Sequence, residues 1–332
     1  MNDMNVASAP VLARWRLDYL PVGLFGSVMG LAGLSIAWRL AHARYGAPEW
    51  AADGIGIAAI GAFVLLTVGY AVKLVTAPDA ARAEFAHPIA GNLFGTFLIS
   101  LLLLPIILAP ASLPLARAMW AVGAVGMVVF AWMIVSRWMS DRQQVAHATP
   151  AWIIPVVGLL DVPLALPGLG LPSMHGVMVL GLAVGLFFAV PLFTLIFSRL
   201  VFEPSMPDAL RPSLLILVAP FAVGFSTYVA TAGQIDLFAQ SLYALMLFML
   251  AVLLGRLRQL PACCPFHVSW WAVSFPLAAS AIAALRFAAG EPGLATDAIA
   301  LALLAFATVI IAGLLVRTLV GVARGELRGL SA

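Results

Sequence analysis

The fold of this chain is decided by the stretch PFHVSWWAVSFPLAASAIAALR, which runs from Pro265 to Arg286. Among its 22 residues the only Lys, Arg, Asp or Glu is the terminal Arg286. An α-helix rises about 1.5 Å per residue, so this stretch reaches roughly 33 Å, and the hydrocarbon core of a bilayer is about 30 Å thick. The stretch therefore predicts a membrane-spanning helix.

An aromatic ring and a proline lie near the middle of this predicted helix. Phe275 begins about 15 Å along it, and Pro276 follows, which removes a backbone donor and bends the helix. Repeated steps of three and four residues along the helix from Phe275 define a face of mostly small side chains: Val268, Ala272, Ala279, Ala283 and Arg286. Two interpretations are open. The ring is a plug that faces a water-filled cavity, or it packs between helices.

The whole composition is that of an integral membrane protein. The chain has 332 residues, of which 64% are hydrophobic and 9% charged, with a mean hydropathy of +1.09. A soluble domain has roughly 25% charged residues. Long apolar runs predict ten spans, joined by short connections. They are residues 20–40, 55–76, 92–109, 113–135, 151–169, 174–198, 211–230, 235–255, 265–286 and 295–318.

The positive charges predict the orientation of these spans. Of the 17 basic residues, only Arg39, Arg44, Arg117 and Arg286 fall on the side opposite the N-terminus. Because Lys and Arg favour cytoplasmic loops, both termini are expected on the cytoplasmic side of a bacterial-type inner membrane. The first span is too long for a signal peptide and is expected to be retained. The expected organisation is a cytoplasmic segment 1–19, a membrane domain 20–318 and a cytoplasmic tail 319–332.

Prolines distinguish the odd-numbered spans from the even-numbered ones. Among the even spans only the sixth has an interior proline, Pro191. The odd spans carry the expected hinges, which are Pro21, Pro105, Pro155 (with Pro163), Pro220 and Pro276. This alternation predicts an all-α protein of five helical hairpins around a central pore, with bent odd helices inside and even helices outside. The alternative is that the prolines are scattered, since proline is common in membrane helices.

Four ordered motifs resemble one family of membrane proteins. They are LPVGLFGSVMGLAGLSIAWR at 20–39, HPIAGNLFGTFLISLLLLP at 87–105, PAWIIPVVGLLDVPLA at 150–165 and SWWAVSFPLAASAIA at 269–283. The chain resembles the tellurite-resistance and dicarboxylate transporter family, which includes prokaryotic members of the TehA type and the plant slow-type anion channels. The resemblance covers essentially the whole chain.

The resemblance implies a homotrimer in which each protomer has its own pore, lined by the five odd helices. It also implies that a phenylalanine in span nine occludes the pore, and the matching position is Phe275. Small or hydroxyl-bearing residues of spans one, three and nine are the candidates for lining that pore. They are Gly26, Ser27, Gly30, Thr96, Ser100, Ala272, Ala279 and Ala283.

No Lys or Arg lies at the centre of an odd span, which suits a channel with weak, broad selectivity. Together with the resemblance, this leads us to expect a channel for small anions such as chloride or nitrate. Anion preference is expected from basic vestibules and from N–H groups at the proline breaks. The expected partners are these anions and the lipid bilayer, without nucleic acid. No cofactor or metal is expected, because the adjacent Cys263 and Cys264 have no partners at metal-ligand spacing. The chain also lacks an H-E-x-x-H motif, so it is not expected to be an enzyme.

Asp161 departs from this pattern, because the resembling family usually has an apolar residue there. A carboxylate inside a span suggests proton coupling, whereas a position near the outer mouth would leave it solvated and peripheral. Asp161, together with His175, favours the alternative function, a proton-coupled carrier of C4-dicarboxylates or sulfite. Asp161 is therefore the candidate proton-linked residue.

Overall fold

The computed structural model describes residues 17–172, 174–258 and 266–331, and every regular element in these ranges is helical. The α-helices are α1 (Gly26–Tyr45), α2 (Glu49–Thr76), α3 (Pro78–Ala86), α4 (Phe94–Leu108), α5 (Leu113–Ser140), α6 (Ile154–Val157), α7 (Leu166–Leu169), α8 (His175–Phe202), α9 (Ala219–Ala232), α10 (Leu237–Leu257), α11 (Ser274–Gly290), α12 (Leu294–Ala323) and α13 (Leu327–Ser331). The 3-10 helices are Val22–Phe25, Ala90–Leu93, Val145–His147, Pro150–Ile153, Gly158–Leu164, Asp208–Val218 and Val268–Val273.

Nine of the described helical segments are long and apolar enough to cross a membrane. Ten spans were expected, and the difference lies in the fifth, where the apolar segment Pro150–Leu164 is shorter than the other nine. This segment is largely 3-10 helix. A 3-10 helix rises about 2.0 Å per residue against about 1.5 Å for an α-helix, so the segment still reaches roughly 28 Å.

Every odd span begins with a 3-10 helix and continues as an α-helix, and two of the predicted hinges explain why. Pro155 and Pro220 have no N–H to offer the carbonyl four residues earlier. Those carbonyls accept 3-10 hydrogen bonds instead, Ala151 from the N–H of Ile154 and Ile216 from that of Ala219. The carbonyls that these two prolines leave without a partner are therefore satisfied within their own spans.

The other three predicted hinges occupy different places in their spans. Pro21 precedes the first 3-10 helix, and Pro105 lies inside α4. Pro276 is the third residue of α11, directly after Phe275, and the 3-10 helix Val268–Val273 ends just before it. The change from 3-10 to α-helix in span nine thus falls next to the ring of Phe275.

Odd and even spans differ sharply in burial. The apolar windows of odd spans one, three, seven and nine are 67% to 83% buried inside the protein, whereas those of the five even spans are only 17% to 39% buried. The exposed side chains of the even spans are mostly Leu, Val and Phe. Because exposed apolar surface of this extent is stable only in lipid, the even helices form the outer surface of the bundle.

The odd spans contact one another in a closed order. α1 contacts α4, and α4 contacts Gly158–Leu164. Gly158–Leu164 contacts α9, α9 contacts α11, and α11 returns to α1. Each odd span also packs against the even helix that follows it in sequence. The odd spans therefore surround the axis of the bundle.

Both ends of the described chain lie at the same end of the bundle. Arg328 donates to the carboxylate of Asp18 at 3.3 Å. The short helix α3 lies there too, because its Glu84 accepts a hydrogen bond from the N–H of Val22, where span one begins. We call this the inner end, following the expected orientation.

Close packing of α1 on α11 depends on Gly30. A Cβ added there would overlap the Cβ and Oγ of Ser274. We expect Gly30→Ala to destabilise the protein by about 1–3 kcal/mol, as overpacking of a dense interface does. In a Ser274→Gly background the same change has room, and it is expected to lower the melting temperature little. Thermal melting followed by size-exclusion chromatography compares wild type, the two single variants and the double variant. An equal loss of melting temperature on Gly30→Ala in both backgrounds would contradict this contact.

Candidate functional site

A cavity with a volume of about 210 Å³ lies between the odd spans. All five of them line it. Paired lining residues, one pair from each span, are Gly26 and Met29, Thr96 and Ile99, Gly158 and Asp161, Ile216 and Val223, and Ala272 and Phe275. One water molecule occupies about 30 Å³ in the liquid, so the cavity has room for a small, partly hydrated ion.

The cavity starts at the inner end and extends to the middle of the bundle. Residues at the starts of the odd spans border it, including Pro21, Ile89, Thr149 and His267. Its deepest lining includes Phe275, whose ring lies against α1, with Cδ2 3.7 Å from where a Cβ of Gly33 would be. Gly33 is near the middle of the span Val22–Tyr45. Phe275 is 8% exposed and lines the cavity at this depth.

The lining is almost entirely uncharged, because Asp161 and His267 are its only ionisable side chains among the described residues. Three of its hydroxyl groups donate to nearby backbone carbonyls. Thr96 donates to Leu93, Ser213 to Leu210 and Ser269 to Ala209, each at 2.6 Å. These hydroxyl protons are therefore engaged, and the oxygens are left with acceptor capacity.

Asp161 lies deep in this cavity and not at a solvated outer mouth. It is 1% exposed, and its Oδ1 has no hydrogen-bond partner. Gly158, one turn earlier, packs against Met127 near the middle of α5, so Asp161 lies close to mid-membrane depth. The interpretation of Asp161 as a solvated, peripheral carboxylate is wrong.

The inner mouth is surrounded by the N-terminal ends of the odd spans. Their 3-10 helices begin at Val22, Ala90, Pro150, Asp208 and Val268, and cavity-lining residues lie at or next to each of these starts. Free N–H groups were expected at the proline breaks. At the breaks before Pro155 and Pro220, the N–H groups of Ile154 and Ala219 are already bonded to carbonyls. The positive ends of the helices are therefore at the mouth, where the spans begin.

A second, more open depression lies at the outer end. Its volume is about 870 Å³, and it is lined by Arg44, Arg286 and Glu291 among others. Arg286 donates to the carbonyl of Ser226 at 3.1 Å, and Arg44 pairs with Asp297 at 2.7 Å. On α11 the residues between Phe275 and Arg286 separate this depression from the inner cavity. Ala279 and Ala283 lie in this stretch and are buried.

The structure divides the predicted pore-lining residues into two groups. Gly26, Thr96 and Ala272 border the inner cavity, as do Pro21 and Pro276. The others are packed beside it. Ser27 donates to Leu24 at 2.7 Å, Ser100 donates to Thr96 at 2.8 Å, and Gly30 lies against Ser274. Sequence reasoning missed Thr149, which lines the mouth with an unpartnered, buried hydroxyl.

Cys263 and Cys264 lie outside the described residues. Within the part of the chain that the structure describes, no three His, Cys, Asp or Glu side chains come together in a way that would hold a metal ion.

These features define an all-helical membrane protein with a mostly uncharged axial cavity lined by five helical spans. A family model described as "Voltage-dependent anion channel" matches residues 19–319, and the chain belongs to this family, SLAC1. The family resemblance drawn from the motifs is thereby confirmed. The family is one of channels and transporters.

The curated relatives include plant and bacterial proteins. The chain is 28% identical over 322 residues to S-type anion channel SLAH3 of Arabidopsis thaliana, covering 94% of this chain and 49% of the relative. It is 24% identical over 311 residues to guard cell S-type anion channel SLAC1 of the same plant, covering 90% and 55%. It is 26% identical over 321 residues to a tellurite resistance protein TehA homolog of Haemophilus influenzae, covering 92% of each. The chain spans about half the length of these two plant relatives.

Proposed function

We propose that the protein is a channel for small anions such as chloride or nitrate, with a path along the axis of each protomer that Phe275 closes at rest. The observation that carries this proposal is the arrangement of the inner mouth. Five helical N-termini face a cavity whose described lining contains no Lys or Arg and includes the ring of Phe275.

Helix dipoles supply the anion preference. Each helix N-terminus carries roughly half a positive charge, and the effect is greatest within the first turn. All five odd spans start at the same end, so their dipoles are parallel and their positive ends surround one entrance. A chloride or nitrate ion that enters is attracted, and a cation is repelled.

The neutral cavity makes anion binding weak, which suits conduction. A fixed Lys or Arg at the closed end would hold an anion tightly and slow its release, and conduction requires that each site be left easily. Arg286 lines the outer depression and not the inner cavity. An ion that passes Phe275 would therefore meet a cation only at the exit.

The finer architecture also belongs to this proposal. The segment Pro150–Leu164, continued by α7, serves as the tenth span, and the ten spans form five hairpins with the odd members inside. Three protomers assemble into a homotrimer in an inner membrane, with both termini in the cytoplasm. The charge distribution of the loops supports the orientation, and the order of contacts between odd spans supports the central path.

One observation favours a second candidate, a proton-coupled carrier of oxyanions such as C4-dicarboxylates or sulfite. A buried carboxyl group borders the cavity at Asp161, and carboxyl groups in such places serve as proton relays in pumps and transporters. A carrier alternates between two accessible states and couples its substrate to the pH gradient. A channel gives a current set by voltage and by the anion gradient.

Reconstitution into planar bilayers separates the two. Wild type and Phe275→Ala are recorded together, so that a closed gate is not mistaken for a missing path. Under a tenfold chloride gradient at equal pH, we expect a steady current that reverses close to the chloride equilibrium potential. A current that appears only with a pH gradient and saturates with anion concentration would favour the carrier. A current that reverses near the potassium equilibrium potential would reject both the anion channel and the carrier.

A further inference from the structure

The closed end of the inner cavity contains a carboxyl group that the conduction path does not require. Asp161 is 1% exposed, borders the cavity and has an Oδ1 atom without a hydrogen-bond partner. An ionised carboxylate in a low-dielectric setting needs a cation or a hydrogen-bond donor, and without either it is strongly disfavoured. A bound proton removes that charge.

The neighbouring elements bring no compensating charge. The elements that pack against Gly158–Leu164 from elsewhere in the fold are α4, α5, α8 and α9 (with the short α6 and α7 adjoining it), and α4, α6 and α7 have no ionisable residue. The ionisable residues on the others are Arg117 and Arg137 on α5, His175 and Arg199 on α8, and Tyr228 on α9. Among the described residues, none of them forms a hydrogen bond or ion pair with Asp161.

These five side chains lie towards the ends of their helices. Arg117 donates to the carbonyls of Leu169 and Gly170, Arg137 to those of Phe85 and Ala86, and Tyr228 to the Asp236 carboxylate. His175 begins α8 and Arg199 lies in its last turn, whereas the residues beside Asp161 pack against Gly181 and Gly185. The remaining ionisable group of the cavity, His267, lies at the inner mouth, where it precedes the 3-10 helix of span nine.

We infer that Asp161 binds the proton that accompanies a small monovalent anion into the closed end of the cavity, so that anion and proton occupy this site together. This inference rests on the anion path proposed above. The hydroxyl groups of Thr96, Ser213 and Ser269 already donate to carbonyls. The O–H of a protonated Asp161 is then the donor available to an anion at the closed end, and the anion's charge in turn stabilises the proton.

Thermodynamic linkage makes this measurable, because each ligand must raise the affinity for the other by the same factor. Nitrate binding to the full-length protein in lipid nanodiscs is measured by titration calorimetry between pH 5 and pH 9. Buffers with different ionisation enthalpies report the protons taken up per nitrate. For wild type we expect the Kd to rise with pH, by up to about tenfold per unit, with uptake approaching one proton where the free carboxyl is ionised.

The Asp161→Asn variant keeps the shape of the side chain and supplies a permanent N–H donor. We expect it to bind nitrate with the affinity that wild type has at acid pH, unchanged up to pH 9, and with no proton uptake. The matched control Asp79→Asn alters a carboxylate that is 94% exposed on α3, and it is expected to keep the wild-type profile. His267→Asn, which tests the histidine at the mouth, is also expected to keep a pH-dependent Kd.

Two results would overturn the inference. One is nitrate binding by wild type that is independent of pH and takes up no proton, a result that needs no variant to fold. The other is a pH dependence that survives Asp161→Asn and disappears in His267→Asn. In both cases nitrate still binds, so the channel proposal stands. Absence of nitrate binding and of anion current in every variant would instead reject the channel itself.

Discussion

Replacing Phe275 with alanine is expected to raise the chloride or nitrate conductance of the reconstituted protein by about tenfold or more. The ring lines the inner cavity where it reaches the middle of the bundle, and it lies against Gly33, which has no side chain to fill the space. A tenfold rise corresponds to a barrier lower by about 1.4 kcal/mol. Single-channel or macroscopic current at fixed voltage, divided by the amount of assembled protein, measures it.

Phe225→Ala is the matched control. Phe225 lies on span seven, is fully buried and contacts the rings of Tyr243 and Phe287, and it is not among the residues that line the cavity. Its removal is expected to destabilise the protein by about 3–5 kcal/mol without raising the conductance. If both variants conduct equally well, general loosening and not a gate explains the current. If Phe275→Ala assembles and conducts like wild type, Phe275 does not close the path.

Hydropathy and proline positions anticipated much of the fold, because a membrane restricts the choices of the chain. Long apolar runs must be helical, since lipid offers no partner for free backbone groups. The prolines marked the buried spans correctly as a group, and Pro191 in α8 shows that a single proline would not have done so. The count of ten is not confirmed at span five, where Pro150–Leu164 has fewer residues than the other nine segments, although its 3-10 geometry lets it reach farther than its residue number suggests.

The site was harder to predict, because one face of the first span both lines the cavity and packs against a neighbouring helix. The glycines of span one were equally typical of a pore wall and of close packing, and the structure divides them. Gly26 borders the cavity, whereas Gly30 lies against Ser274. Depth along a span also does not say which way a side chain points, so Asp161 was open between a solvated and a buried position. The signal that would have helped is its spacing from Ile154 and Gly158, which line the same cavity.

The helix α3 was missed for a different reason. Nine residues with Asp, Arg and Glu among them do not form a long apolar run, so a search for spans passes over them. Yet Glu84 on this helix accepts hydrogen bonds from the N–H of Val22 at 2.7 Å, the hydroxyl of Tyr70 at 3.0 Å and the ammonium of Lys73 at 2.6 Å. It thereby joins the start of span one to the inner end of α2.

The hydrogen bonds around Glu84 are the basis of the second prediction with a large expected effect, which concerns stability. We expect Glu84→Gln to lower the free energy of unfolding by about 3–5 kcal/mol, as removal of one partner of a buried ion pair does. The reason is that Lys73 is only 3% exposed and its charge would remain buried, with the carbonyl of Leu20 as its remaining partner. Urea or thermal unfolding in detergent, followed by tryptophan fluorescence, measures the change.

Three further variants test whether the loss comes from the Lys73–Glu84 ion pair. Because Lys73→Met removes the stranded charge, the double variant Lys73→Met with Glu84→Gln is expected to recover part of the loss, and a double-mutant cycle measures the coupling. Asp79→Asn breaks the exposed pair with Arg82 on the same helix, whose side chains are 94% and 81% exposed, and should change stability by less than about 1 kcal/mol. An equally small effect of Glu84→Gln would mean that water reaches Lys73, and that α3 does not fix the start of the first pore-lining span.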